Sequence, residues 1–304
     1  MAATDVAEDP LHDEAALAGA VRDGAEHLAH LRAEGVLNAT RKLRFTVVPF
    51  NCDGGGSSPM EPGDKVLHLI RHGQGFHNLL GDIYRSHAVE FSSTGSDLTE
   101  NNPYRRPELV DPPLTATGRK QASALQTRAQ LLSPELVVVS PMVRATQTAL
   151  LGWAHLVNGA QTIVPFVAHE GAREPGGVHT CDQRRPLSEL QKEFPMIDYS
   201  LVVPHGEEDP LWHDTQRETT AAVCDRGYAL LEWLHARPET EIVLSAHSSI
   251  LFTLLNAVIT PETPGEGLAQ WFLTGEMRSV RLHVEEVKDA AAGDDDKSKK
   301  AKYC

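Results

Sequence analysis

Four short runs of apolar, mostly β-branched residues recur along the chain: VLHLI at 66–70, ELVVVS at 135–140, TIVPFVAHE at 162–170 and EIVLSA at 241–246. Runs this short, without polar alternation, are expected of strands buried on both faces. Between and after them lie stretches with helical spacing. These are TATGRKQASALQTRAQLL at 115–132, VRATQTALLGWAHLV at 143–157, DTQRETTAAVCDRGYALLEWLHARP at 214–238, and SSILFTLLNAVI at 248–259. MRSVRLHVEEV at 277–287 predicts a last strand of alternating character. Strands alternating with helices predict βαβ units. The expected fold is therefore α/β, a three-layer αβα sandwich around a mostly parallel sheet.

Outside this pattern the chain changes character. Leu17, Val21, Leu28 and Leu31 fall near helical spacing and predict an amphipathic helix at about 13–32. NCDGGGSSPMEPGD at 51–64 is a Gly/Ser/Pro-rich linker. Its three glycines lack the Gly-Lys-Ser/Thr that a phosphate-binding P-loop requires. Residues 1–62 are thus expected to be an N-terminal extension with one helix and a linker. Residues 63–288 form the main domain, and 289–304 a charged, disordered tail.

Composition narrows the function classes. A formal net charge of -14 argues against a general nucleic-acid binder, whose affinity comes from clustered Lys and Arg. It leaves room for a small anionic ligand held by local arginines. Cys52, Cys181, Cys224 and Cys304 are scattered, with no CxxC pair, and suggest neither a zinc site nor a disulfide scaffold. The acidic N-terminus does not resemble a secretory or transit signal. No apolar run approaches the roughly 20 residues that span a bilayer. The expectation is a cytoplasmic protein with no membrane partner.

Open parallel sheets bind ligands beyond the carboxyl ends of their strands. Arg71, His72 and Gly73 follow the first run, and Ser140, Pro141 and Arg144 the second. Glu170, Arg173 and Glu174 follow the third, and His247, Ser248 and Ser249 the fourth. Arginine presents a planar fork of donors that matches phosphate oxygens, and a neutral histidine can form a covalent intermediate. Arg71, Arg144 and a protonated His247 would neutralise a phosphate monoester and hold it in line with His72. Glu174 would protonate the leaving oxygen and then activate water. No cofactor or metal is called for, and there is no HExxH pair.

The ordered set of motifs resembles the histidine phosphatase superfamily, the phosphoglycerate mutase-like family. LIRHGQGFHN at 69–78 is similar to its signature, DPPLTATGRKQA at 111–122 to its L-T-x-x-G segment, and SPMVRATQTA at 140–149 to its S-P-x-x-R segment. REPGGVHTCDQRRPLSEL at 173–190, EDPLW at 208–212 and RET at 217–219 look like the branch common in plants, algae and fungi. LSAHSSIL supplies the second histidine. The resemblance spans about three quarters of the chain, Lys65 to Val287. It implies His72 as the nucleophile, with Arg71, Arg144 and His247 binding the phosphoryl group. It implies Asn78 as a contact to the phosphoryl group, and Gly73, where backbone and ligand approach closely, and Ser248 are expected substrate contacts beside it. Glu174 is the implied acid, with Glu170, Asp209 and Glu208 as alternatives. Pro175 departs from the branch pattern and restricts the backbone of Glu174.

Two reactions are open to such a site. A phosphomonoesterase lets water take the phosphoryl group from a small phosphorylated metabolite, whereas a mutase passes it between hydroxyls. QGFHN replaces the mutase-like E-S-x-W-N, and no E-R-x-Y-G follows the third strand. Both departures favour the phosphatase. A catalytically inactive phosphate-binding module is a third reading. Substrate choice is expected to rest on residues between the motifs, such as His77, Tyr104, Arg105, Arg106, His179 and Arg184. Arg184 and Arg185 read either as a pair that meets a second anionic group or as a solvated basic pair.

Overall fold

The structure is a computed structural model that describes residues 14–33, 41–50, 60–91, 98–261 and 270–287. Most of the 51–64 linker and the whole 289–304 tail lie outside the described residues. In chain order the elements begin with α1 (Glu14–Ala33), β1 (Leu43–Pro49), β2 (Lys65–Arg71) and α2 (Phe76–Ser86). Then come α3 (Ala116–Ala124), α4 (Gln126–Ala129), β3 (Leu136–Val139) and α5 (Val143–Gly152). A small hairpin of β4 (Val157–Asn158) and β5 (Gln161–Thr162) precedes β6 (Phe166–Ala168) and α6 (Leu187–Glu193). The chain continues through α7 (Thr220–Ala236), β7 (Glu241–Ala246), α8 (Ser248–Thr253), β8 (Ile259–Pro261) and β9 (Met277–Glu286).

The main sheet has seven strands in the order β6-β3-β7-β2-β9-β1-β8. Only β9 runs against the others, pairing antiparallel with both β2 and β1. Side chains alternate across this sheet as the two-residue strand period requires. Leu136 and Val138 of β3 join Leu67, Leu69 and Leu244 in one core, closed by Leu230, Leu231 and Leu234 of α7 and Ile250 of α8. Val137 and Val139 join Ile70 and Val243 in a second core, closed by Val143 of α5 and Leu187 and Leu190 of α6. Two cores on opposite faces of one sheet make the three-layer α/β sandwich that the apolar runs predict.

Four departures from the expected elements stand out. Leu43–Pro49, assigned from sequence to an extension outside the domain, is a sheet strand with Phe45 and Val47 buried. It pairs with β9 from Leu43↔Glu286 to Pro49↔Val280. The expected third strand at 162–170 is split, because Pro165 lacks the N–H that would continue the ladder. The helix expected at 115–132 breaks at Leu125 into α3 and α4. The helix expected over 214–238 begins only after Thr219, whose hydroxyl accepts from the backbone N–H of Ala222, and ends at Ala236, two residues before Pro238.

Candidate active site

β2, β3, β6 and β7 are mutually parallel, so the residues that follow them share one edge of the sheet. His72 leaves β2 with its N–H bonded to the carbonyl of Ala246, at the end of β7. The next residues form a loop pressed against α3. A Cβ on Gly73 would lie 2.4 Å from the carbonyl oxygen of Gly118, and a Cβ on Gly118 2.1 Å from that of Gln74. Thr115 caps α3 by accepting from Gly118 N–H, and its own N–H donates to Gln74 O at 2.9 Å. Gln121 accepts from Gln74 N–H. The L-T-x-x-G segment therefore acts as a backbone clamp on the nucleophile loop.

His72 is 2 % exposed. Its Nδ1 lies 2.7 Å from the Gly73 carbonyl, which fixes the proton on that nitrogen and leaves the Nε2 lone pair available. Arg144 Nε donates to that Nε2 at 3.2 Å. Burial first, then the charge of Arg144, hold the imidazole well below its ordinary pKa, so the ring is neutral.

Arg144 is itself built into the protein. Its Nη1 donates to Cys181 O at 2.6 Å and its Nη2 to Asp182 Oδ1 at 2.9 Å. The other Asp182 oxygen accepts from Arg217 at 2.8 Å. Burial opposes the Asp182 charge, yet Arg217, His179 and Arg144 together keep the carboxyl well below the usual range. Asp182 has no sequence signature of its own, because it reaches the nucleophile through Arg144. Arg71 donates to the carbonyl of Phe272, and its buried Nε has no partner among the described residues.

His247 is fully buried, with its ring centroid 5.0 Å from that of His72 and its Nε2 2.8 Å from the Ser140 hydroxyl. Its Nδ1 has no partner among the described residues. Burial and Arg144 lower its pKa well below the ordinary value. In the ligand-free site it is neutral, and a phosphate dianion would favour its protonation.

Glu174 accepts from the backbone N–H groups of Ser249 (3.0 Å) and Ile250 (3.2 Å) and from the Ser248 hydroxyl (3.3 Å). Burial, then the neighbouring Asp182, push its carboxyl pKa up, and the two backbone N–H bonds only partly offset this. The alternative carboxylates are engaged elsewhere. Glu170 pairs with Arg173 and Arg184. Asp209 is held by Arg173 at 2.6 Å and by Arg184 N–H. Glu208 is exposed.

The remaining expected residues divide. Ser248 faces Glu174, and the Asn78 oxygen accepts from Gly75 N–H to cap α2. Arg184 is 2 % exposed and donates to the carbonyls of Arg185, Gly206, Glu207 and Glu208. Arg185 pairs with Glu189, Glu193 and Asp111. The expectation that these two arginines meet a second anion is corrected, since Arg184 spends its donors on backbone carbonyls between 185 and 208 and Arg185 on Asp111 and the carboxylates of α6. Arg105 donates to Leu98 O and Arg106 to the Tyr84 hydroxyl. His77, Tyr104 and His179 instead form a chain of rings leading away from His72, with centroids 5.4–5.9 Å apart.

The fold and site define an α/β protein with two histidines and two arginines gathered at the carboxyl edge of a mostly parallel sheet. Residues 67–273 match the histidine phosphatase superfamily (branch 1), and the chain belongs to that superfamily. Relatives come from plants and fungi. A "Phosphoglycerate mutase-like protein" of Arabidopsis thaliana is 33% identical over 219 residues, covering 64% of this chain and 74% of its own. A "Probable phosphatase" of Schizosaccharomyces pombe is 26% identical over 233 residues, covering 74% and 94%. Among solved structures, the ecdysone phosphate phosphatase of Bombix mori, in complex with tungstate, aligns over 76% of this chain and 98% of its own at 16% identity and a TM-score of 0.46. No described helix is long and apolar enough to cross a membrane.

Proposed function

We propose that this chain is a metal-independent phosphomonoesterase acting through a phosphohistidine at His72 on a small phosphorylated metabolite in the cytoplasm. The observation that carries the reading is the state of His72, a neutral ring with its proton committed to Gly73 O and its other nitrogen beside Arg144. Nε2 attacks phosphorus, the phosphoryl oxygens take up donors of Arg144, Arg71 and His247, and the bond to the leaving alcohol breaks as Glu174 gives that oxygen its proton. Glu174, now ionised, takes a proton from water as the water attacks the phosphohistidine. The P–N bond breaks and returns the electron pair to Nε2. The raised pKa of Glu174 suits it to begin as the acid.

Release of phosphate from an aryl phosphate, with EDTA present, tests the proposal in wild type beside His72→Ala. Activity lost in the variant is expected, and equal activity in both would remove His72 as nucleophile. The names of the plant relatives favour a second reading, transfer to another hydroxyl. Labelled phosphoryl appearing on a second alcohol faster than on water would select it.

A further inference from the structure

QGFH at 74–77 sets a third histidine beside the nucleophile. Gly75 has ordinary extended dihedrals (φ -88°, ψ 165°), so backbone freedom does not call for a glycine here. Space does. A Cβ on Gly75 would lie 2.7 Å from both Nδ1 and Cε1 of His77, and 3.6 Å from Cδ of Arg144. The His77 ring thus folds back over Gly75, its Nδ1 and Cε1 filling the space a Cβ would take, with Arg144 close by. It is 6 % exposed, and its centroid is 5.6 Å from that of His72. That Nδ1 is buried with no partner among the described residues. An unpaired buried polar nitrogen is costly to leave without a partner, and such groups in native proteins call for an explanation. A bound ligand would supply the partner.

We propose that His77 is a further catalytic residue, whose Nδ1 edge hydrogen-bonds an oxygen of the phosphoryl group held at His72. The inference rests on the phosphoryl pocket of the preceding reading and adds a ligand to it. The groups facing the ring are Arg71 and His72 from the end of β2, Arg144 from α5, Tyr104, and His179 with Asp182 from the turn at 179–182. Burial and Arg144 keep the imidazole neutral in the free site. A neutral imidazole still has one N–H to donate. An incoming dianion offsets the arginine charge and favours proton uptake, which strengthens the bond.

Inorganic sulfate is the probe, since it is a tetrahedral dianion that does not titrate near neutrality. Sulfate affinity and kcat/KM on an aryl phosphate are measured for wild type, His77→Phe and His77→Gln. Phe keeps a ring in the slot over Gly75, whereas Gln keeps a polar donor and acceptor. His77→Phe is expected to weaken sulfate binding and kcat/KM by at least about tenfold, with Gln recovering much of the loss. Phe matching wild type, or outperforming Gln, would show that His77 only fills space. A second measurement needs no variant to fold: ¹⁵N spectra of histidine-labelled wild type should show the His77 ring nitrogens shifting on sulfate addition, and unmoved nitrogens overturn the proposal. Wild type that binds sulfate through His77 but releases no phosphate removes the hydrolase reading alone. Activity that depends on His72 but is indifferent to His77→Phe removes this inference alone. A wild type that binds no sulfate removes it as well.

Discussion

Arg144 Nε donates to His72 Nε2 at 3.2 Å, so the lone pair assigned to attack is already hydrogen-bonded before any ligand arrives. An incoming phosphate must compete for that donor, and in doing so it bares the nucleophile beside the phosphorus. Arg144→Lys keeps the charge but loses the planar fork that reaches His72, Cys181 O and Asp182 together. A loss in kcat/KM of about 10²- to 10³-fold is expected, comparable to removing one preorganised donor. Steady-state kinetics checks it, and a loss below threefold would contradict the role.

Glu174 makes a leaving-group prediction. Glu174→Gln removes the proton donor but keeps an acceptor for the N–H groups of Ser249 and Ile250. Alkyl phosphates, whose leaving oxygens need a proton, should lose about 10²- to 10⁴-fold in rate. Nitrophenyl phosphate, with a stable leaving anion, should lose much less. Equal losses on both would reassign Glu174 to capping α8.

The same carboxyl sets the pH profile. His72 must be unprotonated to attack, and its lowered pKa keeps it neutral into mildly acidic solution. Glu174 must be protonated for the first step, and its raised pKa keeps it so further toward neutrality than an ordinary Glu. Activity should therefore be bell-shaped, falling at low pH as His72 takes up a proton and at high pH as Glu174 ionises, with the alkaline limb displaced upward from that of an ordinary Glu. Glu174→Gln should lose that alkaline limb, as a kcat/KM profile from pH 4 to 8 would record.

Asp111 predicts a stability slope. Its carboxyl is pushed up to about 6, chiefly by burial, with Arg144 and the Val143 N–H opposing. The folded state therefore holds a proton that the unfolded chain, at an ordinary value, has released. Between about pH 4 and 6 the folded state binds more protons, so this group's contribution to stability falls as pH rises. Urea titrations across that range should show the slope in wild type and its loss in Asp111→Asn. Asn tolerates the positive φ of 43° at this position.

Gly118→Ala separates packing from propensity. Within α3, alanine should stabilise a helix by about 1 kcal/mol relative to glycine. Its Cβ would instead meet Gln74 O at 2.1 Å, and backbone must move. The net effect expected is a loss of about 1–3 kcal/mol together with reduced turnover. Thermal melts alongside kinetics would show it.

Sequence made the outline legible where a strand was a bounded apolar run, as at Glu241–Ala246. It did not reveal β1, because the alternation of Leu43, Phe45 and Val47 is short, flanked by charge and a proline, and gains meaning only beside β9. The histidines and arginines stood out because strand ends are read in order along the chain. The choice among carboxylates did not, since it depends on which of them Arg173 and Arg184 have already engaged. Asp182 and Thr148, which accepts from Gly73 N–H, act on the site through other groups and carry no signature of their own.

The contact of Gly73 and Gln74 with Gly118 also bears on how such a chain can change over generations. Each glycine is barred from acquiring even a methyl group by main-chain atoms of the other segment. Enlarging one would not make room for enlarging the other, since each clash is with backbone that must itself move. The two segments are thus fitted to each other main chain to main chain, and a change of shape in one has to be met by a shift of the other.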